Sequence, residues 1–114
     1  MFFKRAQPTP ALDFFAIGDI VTEPFIRLQD AHITHNTDTN EDELCMRFGD
    51  KIPYESATVC AAVGNASNAA VSAARLGLST ALRAYTGDDQ HGTEMIEVLK
   101  SENIVTDYMV RENG

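Results

Sequence analysis

The chain is 114 residues long, with nine Lys and Arg against seventeen Asp and Glu and a formal net charge of −8. Hydrophobic residues make up 44% and charged residues 23%, a balance that excludes intrinsic disorder and predicts one small folded domain. The acidic excess excludes a nucleic-acid backbone as partner, because phosphate binding needs clustered Lys and Arg. No apolar run reaches the length of a membrane span, so no membrane partner is expected. The opening residues carry charges after the phenylalanines, and prolines where a signal peptide would place its apolar region. Residues 1–11 therefore read as a loose tail, and the chain as soluble and cytoplasmic. Cys45 and Cys60 lack CxxC spacing, which predicts reduced thiols and neither a disulfide framework nor a zinc site.

In chain order, residues 12–17 form a nearly continuous apolar run stopped by Gly18-Asp19, the pattern of a buried parallel strand with a loop at its carboxyl end. Residues 20–63 alternate apolar with polar around Phe25–Leu28, Ala31–His35 and Leu44–Phe48, and a further β-prone run follows at Ala57–Ala61. The polar stretch Asn36–Asp42 reads as a turn. This section predicts a small antiparallel sheet with one wet face. Asn65–Leu76 is alanine-rich with Gly77 as a stop, and predicts a helix able to lie close to a sheet. Leu78–Thr86 predicts a strand, and Gly87-Asp88-Asp89 a turn with an N-cap. Gln90–Glu102 predicts a helix with Met95, Ile96 and Leu99 on one stripe, and Ile104–Val110 a third parallel strand. The fold class is α/β: a Rossmann-like doubly wound core, partial at this length, with an antiparallel β-sheet lid inserted after the first strand.

Several local patterns carry no chemistry. Asp38–Asp42 opens like a calcium loop, but Glu43 stands where glycine is required and Gly49 where the bidentate glutamate is required. His32 and His35 lie three apart in a strand and point to opposite faces, so no metal site is assigned. The segment Gly64-Asn65-Ala66-Ser67-Asn68 is stronger. At a helix start, backbone N–H groups and two side-chain amides offer paired donors and acceptors, which suit a neutral polyhydroxyl ligand such as a sugar. Asp19 or Glu23, from the loop after the first strand, would add a carboxylate able to grip adjacent hydroxyls. The same segment reads equally as a plain N-cap beside a solvated loop.

Three segments together resemble the ribokinase-like (pfkB-type) carbohydrate kinases. They are Phe15–Ile20 followed by the acidic Glu23, then Val63–Gly77, which resembles the family's N-terminal signature, then Gly87–Gly92, the family's G-x-D-x-x-G turn. Their order and spacing agree with the family from about residue 12 to residue 111. The resemblance implies transfer of the ATP γ-phosphoryl group to a sugar or nucleoside hydroxyl, with Mg²⁺. By position it implies that Gly64, Asn65 and Asn68 contact acceptor hydroxyls and that Glu23 falls where the family has a substrate-binding aspartate. Val21 stands where ribokinases carry asparagine and Asn65 where many carry lysine, so ribose itself is not supported. Gly87, Asp89 and Gly92 are assigned to structure.

The family's second signature, a Gly-Ala-Gly-Asp segment that supplies an anion hole and the catalytic aspartate, does not occur in the chain. The expectation is therefore that residues 12–114 are the N-terminal part of a kinase, with lid strands at about 20–63. That part would hold acceptor-binding residues but no catalytic or cofactor-binding residue, and it would be inactive alone. ATP and Mg²⁺ would belong to the full-length parent. The partners implied are the sugar or nucleoside, the missing C-terminal part of the kinase and, through lid strands, a second copy in a homodimer. The alternative is a stand-alone, non-enzymatic sugar-binding or interaction module derived from the kinase scaffold.

Overall fold

The computed structural model describes residues 11–113, so the tail assigned to residues 1–11 lies outside the described residues except for Ala11. Along the described chain run β1 (Phe14–Ile17), β2 (Val21–Leu28), β3 (His32–Asn36), β4 (Glu41–Cys45), β5 (Tyr54–Val63) and α1 (Asn65–Arg75). These are followed by β6 (Thr80–Arg83), β7 (Tyr85–Gly87), α2 (Gln90–Ser101) and β8 (Val110–Glu112). The described residues divide into two compact units, one of residues 11–22 with 61–113 and one of Glu23–Cys60.

The first unit is α/β. β1 pairs in parallel with β6, Ala16 opposite Leu82, and β7 pairs in parallel with β8. Side chains alternate across a strand, so Ala16 and Leu82 share one face while Phe15 and Ile17 take the other. On the first face Ala16 and Leu82 cluster with Ala70 of α1, Met95 and Leu99 of α2, and Ile104. Both helices thus cover the same side, and small residues of α1 allow its close approach. On the opposite side Ile17 is exposed, and Phe15 meets Tyr108 edge to face with ring centroids 4.9 Å apart. The Arg75 guanidinium pairs with Glu102, with Nε 2.8 Å from Oε2, and ties the ends of the two helices together.

Two expected strands differ. The run 78–86 is split at Ala84 into β6 and β7, and Ile104–Val110 is not one strand. Val105 makes only an isolated parallel bridge to Ala81, the chain turns as Met109 N–H donates to the Thr106 carbonyl, and pairing resumes at Val110 beside β7. The apolar residues within 104–109 serve the core through Ile104 and packing through Met109, without a continuous ladder.

The second unit is all β: β2 pairs with β5, and β3 pairs antiparallel with β4. The hairpin turn is tighter than the polar stretch suggested, because β4 already begins at Glu41 and ends at Cys45, short of the expected Phe48. Asn36 Oδ1 accepts from the Asp38 N–H at 2.9 Å, Asn40 takes a φ of 57°, and Asp42 and Glu43 become strand residues. There they face partners across the ladder: His35 Nδ1 lies 2.9 Å from Asp42 Oδ1, and Asn36 Nδ2 donates to Glu43 Oε1 at 2.7 Å. Cys45 and Cys60 are free thiols, each half-buried.

Candidate functional site

The segment singled out from sequence sits where β5 gives way to α1. The turn into the helix is sharp: Ala62 is buried with a φ of 61°, an unusual value for a residue with a side chain. Ser67, one turn into α1 and fully buried, sends its hydroxyl back to the Ala62 carbonyl. That bond fixes the bend from the helix side.

The helix start itself has no capping side chain, because its N-cap residue is Gly64. The missing acceptor comes from a residue 46 positions earlier. Asp19, in the loop after β1, accepts the Asn65 N–H on Oδ2 at 3.0 Å and the Ala66 N–H on Oδ1 at 3.2 Å. One carboxylate thus satisfies two of the orphan donors that every helix start presents. The hydrogen bonds from Ala66 and then from Asn65 favour the ionised form and hold the Asp19 carboxyl below the usual carboxylate range.

Two glycines make this closure sterically possible. A Cβ on Gly18 would lie 2.8 Å from the Ala66 Cβ, and one on Gly64 would lie 2.7 Å from Asp19 Oδ2. Gly64 also adopts a φ of 118°, which L side chains rarely take. The sequence Gly18-Asp19 and Gly64-Asn65-Ala66 is therefore one interlocked unit.

Of the residues named from sequence, Asp19, Gly64 and Asn65 are brought together directly. Asn68 lies one helical turn beyond Asn65, its N–H bonded to the Gly64 carbonyl at 2.8 Å. Asn65 and Asn68 are both exposed, and their three-residue spacing puts them on one side of α1. Glu23 is an exposed residue of β2 in the other unit. The N–H groups of Asn65 and Ala66, which sequence alone offered to a ligand, are taken by Asp19, and the side chains of Asn65 and Asn68 remain exposed. That role of Asp19 was not legible, since the only local signal was a side-chain-free N-cap.

The Gly87–Gly92 turn leads into α2. Asp89 caps α2 by accepting the Gly92 N–H at 2.8 Å, and buried Gly92 packs against Gly87. The Arg111 guanidinium steadies the turn, with Nη2 donating to the Asp89 carbonyl at 2.9 Å. A concavity of about 360 Å³ opens beside this turn between Tyr85, Asp88, Asp89 and Glu112, with neither Asn65 nor Asn68 in its lining. Its lining also includes Thr86 and Asn113.

A carboxylate stands at the start of each helix. Asp19 closes the start of α1 and Asp89 that of α2, and a carboxylate there repels an anion that the amides alone would attract. Among the described residues no three His, Cys, Asp or Glu side chains are grouped to hold a metal ion.

Residues 31–114, more than half of the chain, match the family model of the pfkB family carbohydrate kinases. The chain belongs to that family. Over 46 residues it is 44% identical to the ribokinase of Bacillus subtilis strain 168, a stretch covering 40% of this chain and 16% of that protein. In fold it resembles the nucleoside kinase of Methanocaldococcus jannaschii, with a TM-score of 0.64 at 17% identity over 86% of this chain and 28% of the other. It also resembles the ribokinase of Cryptococcus neoformans var. grubii serotype A in complex with ADP, with a TM-score of 0.61 at 24% identity over 88% and 26%. The chain thus spans less than a third of the length of each of these proteins.

Proposed function

We propose that this chain carries the acceptor-binding portion of an ATP-dependent sugar or nucleoside kinase, working in the cytoplasm. In this reading the α/β unit is part of a Rossmann-like core, and the Glu23–Cys60 strands are a lid inserted after β1. Asn65 and Asn68 bind acceptor hydroxyls, Gly64 lets the backbone approach them, and Asp19 belongs to the same site through the turn it holds. Glu23 enters through the family pattern as a further acceptor contact. The observation that carries the reading is the pair of exposed amides one turn apart on a helix start that is locked in place from two sides. Such an array presents donors and acceptors in fixed positions, which is what a neutral polyol requires.

Phosphoryl transfer is assigned to a C-terminal kinase part that would supply the anion hole, the general base and the residues that hold ATP and Mg²⁺. Exposed apolar side chains on the lid strands, Phe25, Ile26, Ile33 and Leu44 among them, support pairing of two copies through that sheet.

The test is a titration of the isotope-labelled chain with D-ribose, D-fructose and adenosine, followed by amide NMR. The expected result is saturable shifts at Asn65 and Asn68 with one of these ligands, weakened roughly tenfold by Asn68→Ala, a loss on the scale of one hydrogen bond. No response at α1 to any of the three overturns the reading. With ATP added, the chain alone should form no ADP.

A further inference from the structure

We propose that the side of the α/β unit left open by its helices is a pairing surface for a second copy of this chain, in which Arg83 of each copy meets Glu112 of the other. The surface belongs to the α/β unit alone and does not depend on the acceptor site.

Both helices lie on the side of the sheet that holds Ala16 and Leu82, so the opposite side has no second layer among the described residues. Phe15 and Ile17 of β1 stand on that open side, and Ile17 is 71% exposed. Tyr85 of β7 joins them, 57% exposed. Two charged side chains flank Tyr85 there. Arg83 stands opposite Ile17 in the β1–β6 register, with its guanidinium 5.7 Å from the Tyr85 ring centroid. Its hydrogen-bond partners are neutral, the Tyr108 carbonyl and the Tyr85 hydroxyl, each at 3.5 Å. Glu112 stands opposite Gly87, which shares the Tyr85 side of β7, and Glu112 and Tyr85 border the same concavity.

Among the described residues neither Arg83 nor Glu112 makes an ion pair. The other arginine of these strands, Arg111, stands opposite Thr86 on the helix side and is bound to Asp88, Asp89 and Thr93. The open side therefore presents one cation and one acid, with an exposed tyrosine between them. That layout is self-complementary. A two-fold axis lying in an interface exchanges the positions on either side of it. With the axis beside Tyr85, Arg83 faces the partner's Glu112, the reverse pair forms by symmetry, and each Tyr85 meets its own copy. With a net charge of −8, two copies repel one another in general, so a stable contact needs a face where acid meets base. Covering Phe15, Ile17 and Tyr85 supplies the apolar gain, and the crossed pairs fix the register.

The experiment is sedimentation equilibrium of the full chain in an Ile33→Asp background, which takes out pairing through the exposed lid strands. This chain should be a dimer in reversible exchange with monomer. Arg83→Glu sets acid against acid across the axis, and Glu112→Arg sets arginine against arginine. Each should weaken association by roughly tenfold or more. An equimolar mixture of the two variants should regain the dimer, because both crossed pairs then carry opposite charges. That recovery also shows that neither variant lost association by misfolding, and cooperative urea unfolding checks each one separately. A chain that stays monomeric over the whole concentration range overturns the inference and leaves this side of the sheet to the C-terminal kinase part. Charge variants that associate as tightly as the parent overturn it too, because the contact then lies elsewhere. So does a mixture of folded variants that remains monomeric.

Discussion

The two units use similar residues to opposite ends. In the α/β unit the strand apolars converge with two helices on one cluster, and Leu82 is 0% exposed. Between Glu23 and Cys60 no residue is fully buried, and Ile33 on β3 is 73% exposed. Layering separates them. A strand pair becomes a core only when a second layer covers one of its faces, and in the first unit α1 and α2 are that layer. The strands of the second unit hold their register through ladders, a tight turn and cross-strand polar pairs, which fix geometry while contributing little burial.

The sharpest way to break this comparison is to cut the same group from each unit. Leu82→Ala should lower the unfolding free energy by about 3 kcal/mol, the usual scale for a buried leucine whose cavity cannot fully collapse. Ile33→Ala should change it by less than about 0.5 kcal/mol. Urea unfolding of both variants measures the difference, and equal losses would show that the second unit has a core after all.

Next in size is Gly64→Ala, which combines a strained φ of 118° with a Cβ placed 2.7 Å from Asp19 Oδ2. A loss of about 2 kcal/mol is expected, on the scale of a residue forced into a sparsely populated backbone region. The urea midpoint should fall, and the Asn65 and Ala66 amides should lose protection from hydrogen exchange as the carboxylate is pushed off them. Unchanged protection would mean that Asp19 does not hold the helix start.

A smaller effect is expected at the other helix. Asp89→Ala removes the acceptor for the Gly92 N–H and should cost about 1 kcal/mol, the ordinary worth of an N-cap. Faster exchange confined to the first turn of α2 would localise it. The two helix starts then form a matched pair, one capped by its own preceding residue and the other from across the unit.

That contrast also explains what could be read from the chain alone. α2 was legible because its cap, Asp89, and its stripe, Met95 and Leu99, lie within a dozen residues of one another and obey local rules. α1 was legible from its alanines and its glycine stop, and the Gly64–Asn68 segment from its amides at a helix start. The cap supplied by Asp19 was not, because a partner 46 residues away leaves no local mark. The split of residues 78–86 at Ala84 was hidden for a related reason: apolar continuity records burial, and pairing partners decide where a ladder breaks. In the hairpin, charged Glu41 and Asp42 looked like turn residues, yet they pair with Asn36 and His35 across the ladder and are strand. Local chemistry specified the elements and the exposed amides; pairings distant in sequence specified how the turn is held.

The smallest predicted effect tests that last point through pH. Asp19 has its carboxyl held below the usual carboxylate range by the Ala66 and Asn65 amides, so its folded pKa is lower than its unfolded one. A group shifted in that direction contributes stability above its unfolded pKa and loses that contribution as pH falls through the folded value. Glu102, lowered by its bond and charge contact with Arg75, adds a loss of the same sign over the same acid range, so the wild-type curve alone cannot separate them. The Asp19→Asn variant can, because it removes one titration and leaves the other. The stability gap between wild type and variant should be full at neutral pH and close progressively on acidification, with Arg75→Gln giving an independent, additive closure of its own. Because Asp19 is exposed, solvent and salt reduce the size of the gap without changing its sign. A gap that stays constant from neutral to strongly acid pH would mean that the carboxylate carries no charge-dependent part of the turn, and the distant cap would then be only a matter of shape.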